Sequence, residues 1–227
     1  MKGWLPTNMD KRKSLQNIVL RYGVFILGLF MASLGVAFST KAGLGTSPVS
    51  SVPYSISLIS SLFTFGGWLN LLSMIQIAVQ VILLGKKCNM IEITIQTILA
   101  FVYGYLTNFS CYLLRGLQVE TYIAQLFFLA ISCLVLAFGI WIQLKAGVAM
   151  LPGEAMNRAI SRVTGKKFEN VKIFFDILYI VIAAGICLVS FGRLEGVREG
   201  SIIAAICVGS IIKMYNRIWR NISKDKE

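Results

Sequence analysis

The chain has 227 residues, of which 56% are hydrophobic and only 14% are charged, so it is too apolar for an ordinary soluble domain. Histidine is absent, which excludes imidazole metal sites, histidine proton relays and Ser-His-Asp triads. The five cysteines have no CxxC spacing. We therefore expect an integral membrane protein that is not an enzyme and has no metal site and no cofactor.

Six nearly uncharged runs are long enough to cross a bilayer. A helix rises about 1.5 Å per residue, so about 20 residues span the hydrocarbon. The runs are continuously apolar rather than alternating, which favours helices over a β-barrel. In chain order they cover residues 19–40, 66–85, 92–114, 122–144, 172–192 and 199–216. The sequence thus predicts an all-α membrane protein with six transmembrane helices, the first of which stays as a signal anchor.

The basic residues are unevenly distributed between the segments that join these runs. If the N-terminus is cytoplasmic, only Lys41, Arg115, Arg193 and Arg198 of the 22 basic residues fall outside. This is the positive-inside bias that fixes orientation during insertion. We therefore expect a multi-pass protein of the cell membrane with both termini cytoplasmic, and the net charge of +12 is not a nucleic-acid footprint.

A duplicated motif follows the first and the fourth run. Each copy has Lys-Ala-Gly and then a proline, and a glycine precedes it at the same distance. The matched elements, always 104 positions apart, are Gly35 with Gly139, Lys41–Gly43 with Lys145–Gly147, and Pro48 with Pro152. Such a fixed offset indicates internal duplication. Because three spans separate the copies, the sequence predicts two inverted three-helix repeats, residues 1–118 and 119–227, in one membrane domain.

Each copy of the motif is typical of a helix that breaks and restarts. Small residues let the backbone leave the helix, and proline suits the first turn of a new one. The new N-terminus offers unpaired N–H groups to a polar or anionic group, and many transporters build their substrate site from such segments. We expect a broken or re-entrant segment after the first helix of each repeat. The competing interpretation is two surface loops with short interfacial helices that keep the proline as a remnant of duplication.

Two acidic residues in the second half are candidates for function. Glu154 lies in the first turn of the restarted helix, four residues before Arg158, and Asp176 follows Lys172 at the same spacing. The alternatives are a helix-terminus charge for Glu154 and a snorkelling ion pair for Asp176. The candidate substrate-binding residues are Pro48, Ser50, Ser51, Pro152, Glu154, Arg158 and Asp176.

Other polar residues in the spans are interpreted as contacts between helices. Asn70, Ser73, Gln76 and Gln80 form a polar stripe on the second span, and Gln96 lies in the third. Buried amides of this kind usually join helices rather than bind ligands. Small residues of the first span, Gly28, Ala32, Gly35 and Ala37, predict close packing with a neighbouring helix.

Four short motifs carry a resemblance to a known family. They are Gly43-Leu44-Gly45 followed by Pro48, Phe65-Gly66-Gly67-Trp68, Pro152-Gly153-Glu154 and Arg162-Val163-Thr164-Gly165. With these motifs the chain resembles the YczE/YyaS/YitT type of bacterial membrane proteins over nearly its whole length. The resemblance implies six spans but no substrate. In that family an aspartate often follows each proline by two residues, so Glu154 matches and Ser50 departs from the pattern.

The function predicted from these features is a small-molecule permease or exporter with its site between the two proline segments. Glu154, with or without Asp176, is the predicted protonatable or cation-pairing group. The alternative is a substrate-capture subunit or membrane scaffold that acts with another protein. The expected partners are the lipid bilayer and a small molecule, with no nucleic acid. A homo-oligomer or a partner membrane protein stays an open alternative.

Overall fold

The computed structural model describes residues 11–85, 88–194 and 196–224, with side chains from 18 to 221. Every regular element among them is a helix, apart from one isolated bridge between Gly45 and Val197. The helices are α1 Lys11–Ala42, α2 Pro48–Ile59, α3 Phe65–Leu84, α4 Met90–Leu113, α5 Tyr122–Ala146, α6 Pro152–Thr164, α7 Phe168–Phe191 and α8 Glu199–Lys224. Lys2, Lys86, Lys87 and Lys226, which contribute to the basic asymmetry, lie outside the described residues.

Six of these helices are long and apolar enough to cross a membrane. The spans are Ile18–Ala42, Phe65–Leu84, Met90–Leu113, Tyr122–Ala146, Phe168–Phe191 and Glu199–Asn221. They agree with the six predicted runs to within a few residues, so the prediction of an all-helical protein with six candidate spans is confirmed. The other two helices, α2 and α6, have 12 and 13 residues and therefore reach only about 18–20 Å.

The two short helices begin where the sequence predicted a break. α1 ends before Gly43 and α5 before Gly147, and both glycines have positive φ, 68° and 59°, which other residues rarely adopt. Pro48 and Pro152 then stand in the first turn of α2 and α6, where the missing N–H has no helical partner to lose. The break and restart are therefore present in both copies of the motif.

The centre of the bundle is the contact between α1 and α5. A Cβ at Gly35 would lie 2.7 Å from the Cα of Leu136, and one at Gly139 would lie 2.9 Å from the Cα of Ala32. Only glycine lets the two backbones approach this closely, so the predicted small-residue packing is present. Gly28 lies beside Gln143, whereas Gly35 lies beside Leu136. Early residues of α1 thus meet late residues of α5, and the two helices run antiparallel.

We call the end of the bundle where α1 begins the proximal end, and the end where α1 finishes the distal end. α4 runs parallel to α1, because Phe25 and Leu29 pack with Leu99 while Ser33 is hydrogen bonded to Ser110. At the distal end, Arg198 donates to the carbonyl of Gly43 over 3.2 Å. α7 therefore ends and α8 begins at the distal end.

The remaining helices pack around this central pair. α4 packs on α1 and α3, and α8 packs on α5. α2 packs on α7 and α3, and α6 packs on α3 and α7. The antiparallel pair α3 and α4 is in close contact, since Gly66 lies against the carbonyl of Gly104 and its N–H donates to Asn108 Oδ1 over 2.8 Å. In the part of the chain that the structure describes, this packing has no comparable counterpart between α7 and α8.

Candidate functional site

A buried hydrogen bond joins the two halves of the chain near the middle of the long helices. Gln76 Nε2 on α3 donates to the phenolic oxygen of Tyr179 on α7 over 2.9 Å. The exposed fractions of the two residues are 3% and 7%. Each is the eleventh residue after the first of its helix, or about 16 Å along it. The bond therefore lies far from both ends of a span about 30 Å long.

Both short helices contact this buried pair. The hydroxyl of Ser51 on α2 lies 3.4 Å from the carbonyl oxygen of Tyr179 and 2.6 Å from that of Pro48. On α6, a Cβ at Gly153 would lie 3.3 Å from Gln76 Nε2, so the α6 backbone passes directly over that side chain. The residues Ser51, Gln76, Gly153 and Tyr179, which we call the polar centre, thus connect α2, α3, α6 and α7.

The predicted residues of the first half lie inside the protein. Pro48, Ser50 and Ser51 are buried, and Ser50 is only 2% exposed. Its hydroxyl lies 2.6 Å from Ser47 Oγ and donates to the Ser47 carbonyl over 3.1 Å. A solvated surface loop would not bury these side chains, so the loop interpretation does not fit α2.

The predicted residues of the second half differ in their surroundings. Pro152 is buried, Glu154 is half-buried and Arg158 is exposed. The i,i+4 spacing of Glu154 and Arg158 gives no ion pair, because none joins them within the described residues. Spacing at i,i+4 permits such a pair without requiring it, and the exposed Arg158 side chain is free to hydrate instead.

Asp176 forms an ion pair with Lys172, which is the alternative to a functional role considered for it above. Its carboxylate lies 3.5 Å from Lys172 Nζ, and its side chain is 21% exposed. Asp176 comes one helical turn before Tyr179 on α7, so it lies beside the polar centre but is not among the groups bonded in it. Pro152 and Glu154 are the chain neighbours of Gly153 and therefore lie close to the polar centre, whereas Arg158 does not.

Arginine side chains hold both Lys-Ala-Gly turns. Arg21 on α1 donates to the carbonyl of Ala146 over 2.9 Å and approaches the carbonyl of Gly147 at 3.5 Å. Arg198 donates to the carbonyl of Gly43 in the other copy. Because the last carbonyls of a helix have no helical donors, a cation at this position stabilises the helix end. Each turn is therefore stabilised by an arginine that belongs to another part of the chain than the helix that ends there.

A cavity of about 490 Å³ opens at the distal end of α2. Its lining residues are Gly43, Tyr54, Leu58, Arg193, Leu194 and Arg198. Tyr54 lies one turn beyond Ser50 on α2, so the cavity begins where the buried first turn of α2 ends.

Several buried polar atoms have no hydrogen-bond partner within the described residues. They are Trp68 Nε1, Asn70 Oδ1, Gln80 Oε1, Gln96 Oε1, Gln143 Nε2, Asn157 Oδ1 and Ser201 Oγ. Buried polar groups in native proteins are nearly always paired, so each such atom indicates a missing partner. Four of the seven are amide oxygens, which accept hydrogen bonds or coordinate cations.

Two members of the polar centre were missed by sequence reasoning. Tyr179 stands in a continuously apolar run, and Gly153 is distinguished in the sequence only as the neighbour of Glu154. Gln76 was interpreted as a contact between helices, which is correct but incomplete. The sequence does contain one indication that Gln76 and Tyr179 are related. The two residues are 103 positions apart, which is close to the repeat offset of 104.

Comparison with known proteins agrees with the resemblance seen in the motifs. Residues 19–217 match the family described as "Family of unknown function (DUF6198)". The chain is 24% identical over 165 residues to the uncharacterized protein YyaS of Bacillus subtilis (strain 168), covering 72% of this chain and 80% of that protein. No solved structure matches the chain.

Proposed function

We propose that this chain, which belongs to the DUF6198 family, is a small-molecule permease or exporter of the cell membrane. Its substrate site would lie between α2 and α6, at the polar centre. The observation that carries the proposal is the Gln76–Tyr179 hydrogen bond, because it joins the two halves near the middle of the long helices and both short helices contact it. Transporters commonly bind substrate where two broken segments meet near the bilayer midplane.

We further infer that the halves are inverted repeats. Under the offset of 104, Gly35 corresponds to Gly139 and Ala32 to Leu136. The contact of Gly35 with Leu136 is therefore repeated, with the halves exchanged, in the contact of Gly139 with Ala32. Such reciprocal contacts are expected when a two-fold axis relates two copies. Because α1 and α5 are antiparallel, that axis would lie in the membrane plane.

The packing of the other helices supports the same symmetry. α2 of the first half packs on α7 of the second, and α6 of the second half packs on α3 of the first. α1 packs with α4 as α5 packs with α8. Each pair becomes the other when the halves are exchanged, as inverted repeats require.

Both short helices would be re-entrant, starting at the polar centre and returning to the side from which they came. Along α2, Ser51 contacts Tyr179 and Ser55 lies 3.3 Å from Cys187 Sγ, so α2 runs towards the distal end with α7. α6 starts beside Gln76 and joins the proximal start of α7 through residues 165–167. Two helix N-termini would then face one site from opposite sides and offer N–H donors to a polar substrate.

The sidedness of the proposal comes from the basic residues. With the proximal end cytoplasmic, the positive-inside bias is satisfied and both termini are cytoplasmic. The distal cavity beside Arg193 and Arg198 would then be the outer approach to the site. In this conformation Ser50 is buried while Glu154 is half-buried, so access to the site would come from the cytoplasmic side.

Reconstitution of the purified protein tests the proposal. Liposomes holding only this protein are loaded with a radiolabelled bacterial metabolite extract, and loss of each labelled compound is followed against protein-free liposomes. We expect selective efflux that Gln76→Leu abolishes and that Gln118→Leu, an exposed loop position, leaves unchanged. Binding without flux would favour the capture subunit instead, and neither binding nor flux would overturn both readings.

A further inference from the structure

Three of the unpartnered amide oxygens belong to helices that contact one another. They are Gln80 Oε1 on α3, Gln96 Oε1 on α4 and Asn157 Oδ1 on α6, and the exposed fraction of each residue is 4% or 5%. α3, α4 and α6 are all in mutual contact. In a bundle embedded in lipid no bulk water reaches such groups. Each oxygen therefore needs a hydrogen-bond donor or a cation as its partner.

The three residues also lie at a similar depth. α6 and α3 both run towards the proximal end, and Gly153 is beside Gln76, so Asn157 and Gln80, each four residues further on, are level. α4 runs antiparallel to α3, and Asn70 is beside Gly104. Gln96 comes eight residues before Gly104 on α4, so it is level with position 78 of α3, eight residues after Asn70. Position 78 is two residues from Gln80. We call Gln80, Gln96 and Asn157 the amide cluster.

A half-buried acidic group without a partner in the described part of the chain lies on the same helix as Asn157. Glu154 precedes Asn157 by three residues, on the adjacent face of α6, and is half-buried. No hydrogen bond or ion pair to its carboxylate occurs within the described residues. Its negative charge offsets the positive N-terminal end of the α6 dipole. The four side chains thus offer three amide oxygens and one carboxylate as acceptors, and Glu154 supplies a negative charge.

We infer that the amide cluster and Glu154 bind a monovalent cation, either an alkali metal ion or the ammonium group of an amine. Hard cations prefer carbonyl and carboxylate oxygens, and an ammonium group donates hydrogen bonds to the same atoms. A single carboxylate balances one positive charge rather than two. The inference deepens the proposed permease, since the cation would be its coupling ion or part of its substrate. Binding can nevertheless be measured without flux.

The test is thermal unfolding of the purified full chain in lipid nanodiscs. Sodium, potassium and methylammonium chloride are each titrated against N-methylglucamine chloride at constant ionic strength. We expect a saturable rise in the unfolding temperature with a small cation but not with bulky N-methylglucamine. A rise with sodium or potassium indicates a coupling ion, and a rise with methylammonium indicates an amine substrate. No difference among the four salts would overturn the inference and leave the permease proposal standing.

Variants locate the cation at the amide cluster. Asn157→Leu keeps the size of the side chain but removes the oxygen, so the affinity should fall at least tenfold, and Gln118→Leu should leave it unchanged. Asn157→Asp adds a carboxylate at the same place and should raise the affinity, which keeps the inference testable if the leucine variant does not fold. Unaltered affinity in Asn157→Asp, or in a folded Asn157→Leu protein, would mean that the cation binds elsewhere.

Discussion

Gln76 and Tyr179 are each the eleventh residue after the first of their helices, α3 and α7, and are hydrogen bonded to each other over 2.9 Å. This bond is a direct polar link between the long helices of the two halves. Any motion that separates α3 from α7 must break it and expose both groups to another partner, either water or substrate. The bond is thus suited to a site that is closed when empty and opens when a ligand replaces the missing partner.

The first prediction concerns the strength of this link. Tyr179→Phe leaves the buried Gln76 amide without its acceptor, which should cost about 1–3 kcal/mol of stability. Gln76→Leu in the same protein removes the stranded amide. The double variant should therefore be more stable than the sum of the two single changes predicts, measured by thermal unfolding in one detergent. Additive losses would show that the two side chains are not coupled.

The second prediction concerns the α1–α5 contact. Gly35→Val and Gly139→Val place side chains against the backbones of Leu136 and Ala32, so each should cost more than about 2 kcal/mol or prevent expression. Gly23→Ala is the matched control on α1, because nothing lies within 4 Å of its Cβ position. It should be neutral or slightly stabilising. If the glycine variants at 35 and 139 behave like this control, the close crossing of the two helices is wrong.

The third prediction separates the two acidic residues. Glu154→Gln keeps the shape of a side chain that has no ionic partner within the described residues, so stability should not change while cation binding falls. Asp176→Asn breaks a half-exposed pair with Lys172, which should cost no more than about 1 kcal/mol. Thermal unfolding and cation titration of both variants provide the comparison. A stability loss in Glu154→Gln would instead indicate a structural charge at the start of α6.

The fourth prediction uses the close approach of α2 and α7 at the distal end. Ser55 Oγ lies 3.3 Å from Cys187 Sγ, so Ser55→Cys should form a disulfide with the native cysteine on oxidation. If α2 must leave α7 to admit substrate from the distal side, the oxidised protein should lose flux and regain it after reduction. Cys187→Ala in the same background is the control. Full flux in the oxidised protein would mean that α2 stays in place during transport.

The fifth prediction fixes the orientation. Six crossings return the chain to the side on which it starts, so both ends should be cytoplasmic. Alkaline phosphatase fused to the C-terminus should therefore be inactive in cells, while a fusion in the loop after α4, near Arg115, should be active. The reverse pattern would place the distal end in the cytoplasm and invert the proposed sidedness.

The spans and the helix breaks were predictable because each depends on local chemistry. A continuous apolar run has no stable state in lipid except a helix, and a proline after small residues restarts the chain at a defined position. The small residues of the first span, Gly35 among them, also predicted close packing with a neighbouring helix, although they did not identify α5 as that helix. These features are encoded within a few consecutive residues.

The polar centre was less predictable because its contacts join residues far apart in sequence. Nothing near Tyr179 distinguishes it from other aromatic residues in apolar spans, and Gln76 resembles its neighbours Ser73 and Gln80. Glu154 and Arg158 have the same spacing as the Lys172–Asp176 ion pair but form none within the described residues, since α6 turns Arg158 outwards while packing its other face on α3. Tertiary packing decides which of several polar residues meet, and local spacing does not.

The proposed arrangement of α2 and α6 is tested most directly by the accessibility of positions 50 and 154 in a cysteine-free protein. Ser50→Cys and Glu154→Cys are made separately and exposed in right-side-out and inside-out vesicles to a thiol reagent that cannot cross the membrane. We predict that Glu154→Cys reacts only from the cytoplasmic side. Ser50→Cys should react only from the outside, and slowly, because position 50 is buried in this conformation. Reaction of both proteins from the same side would contradict the inverted arrangement of α2 and α6 around one site.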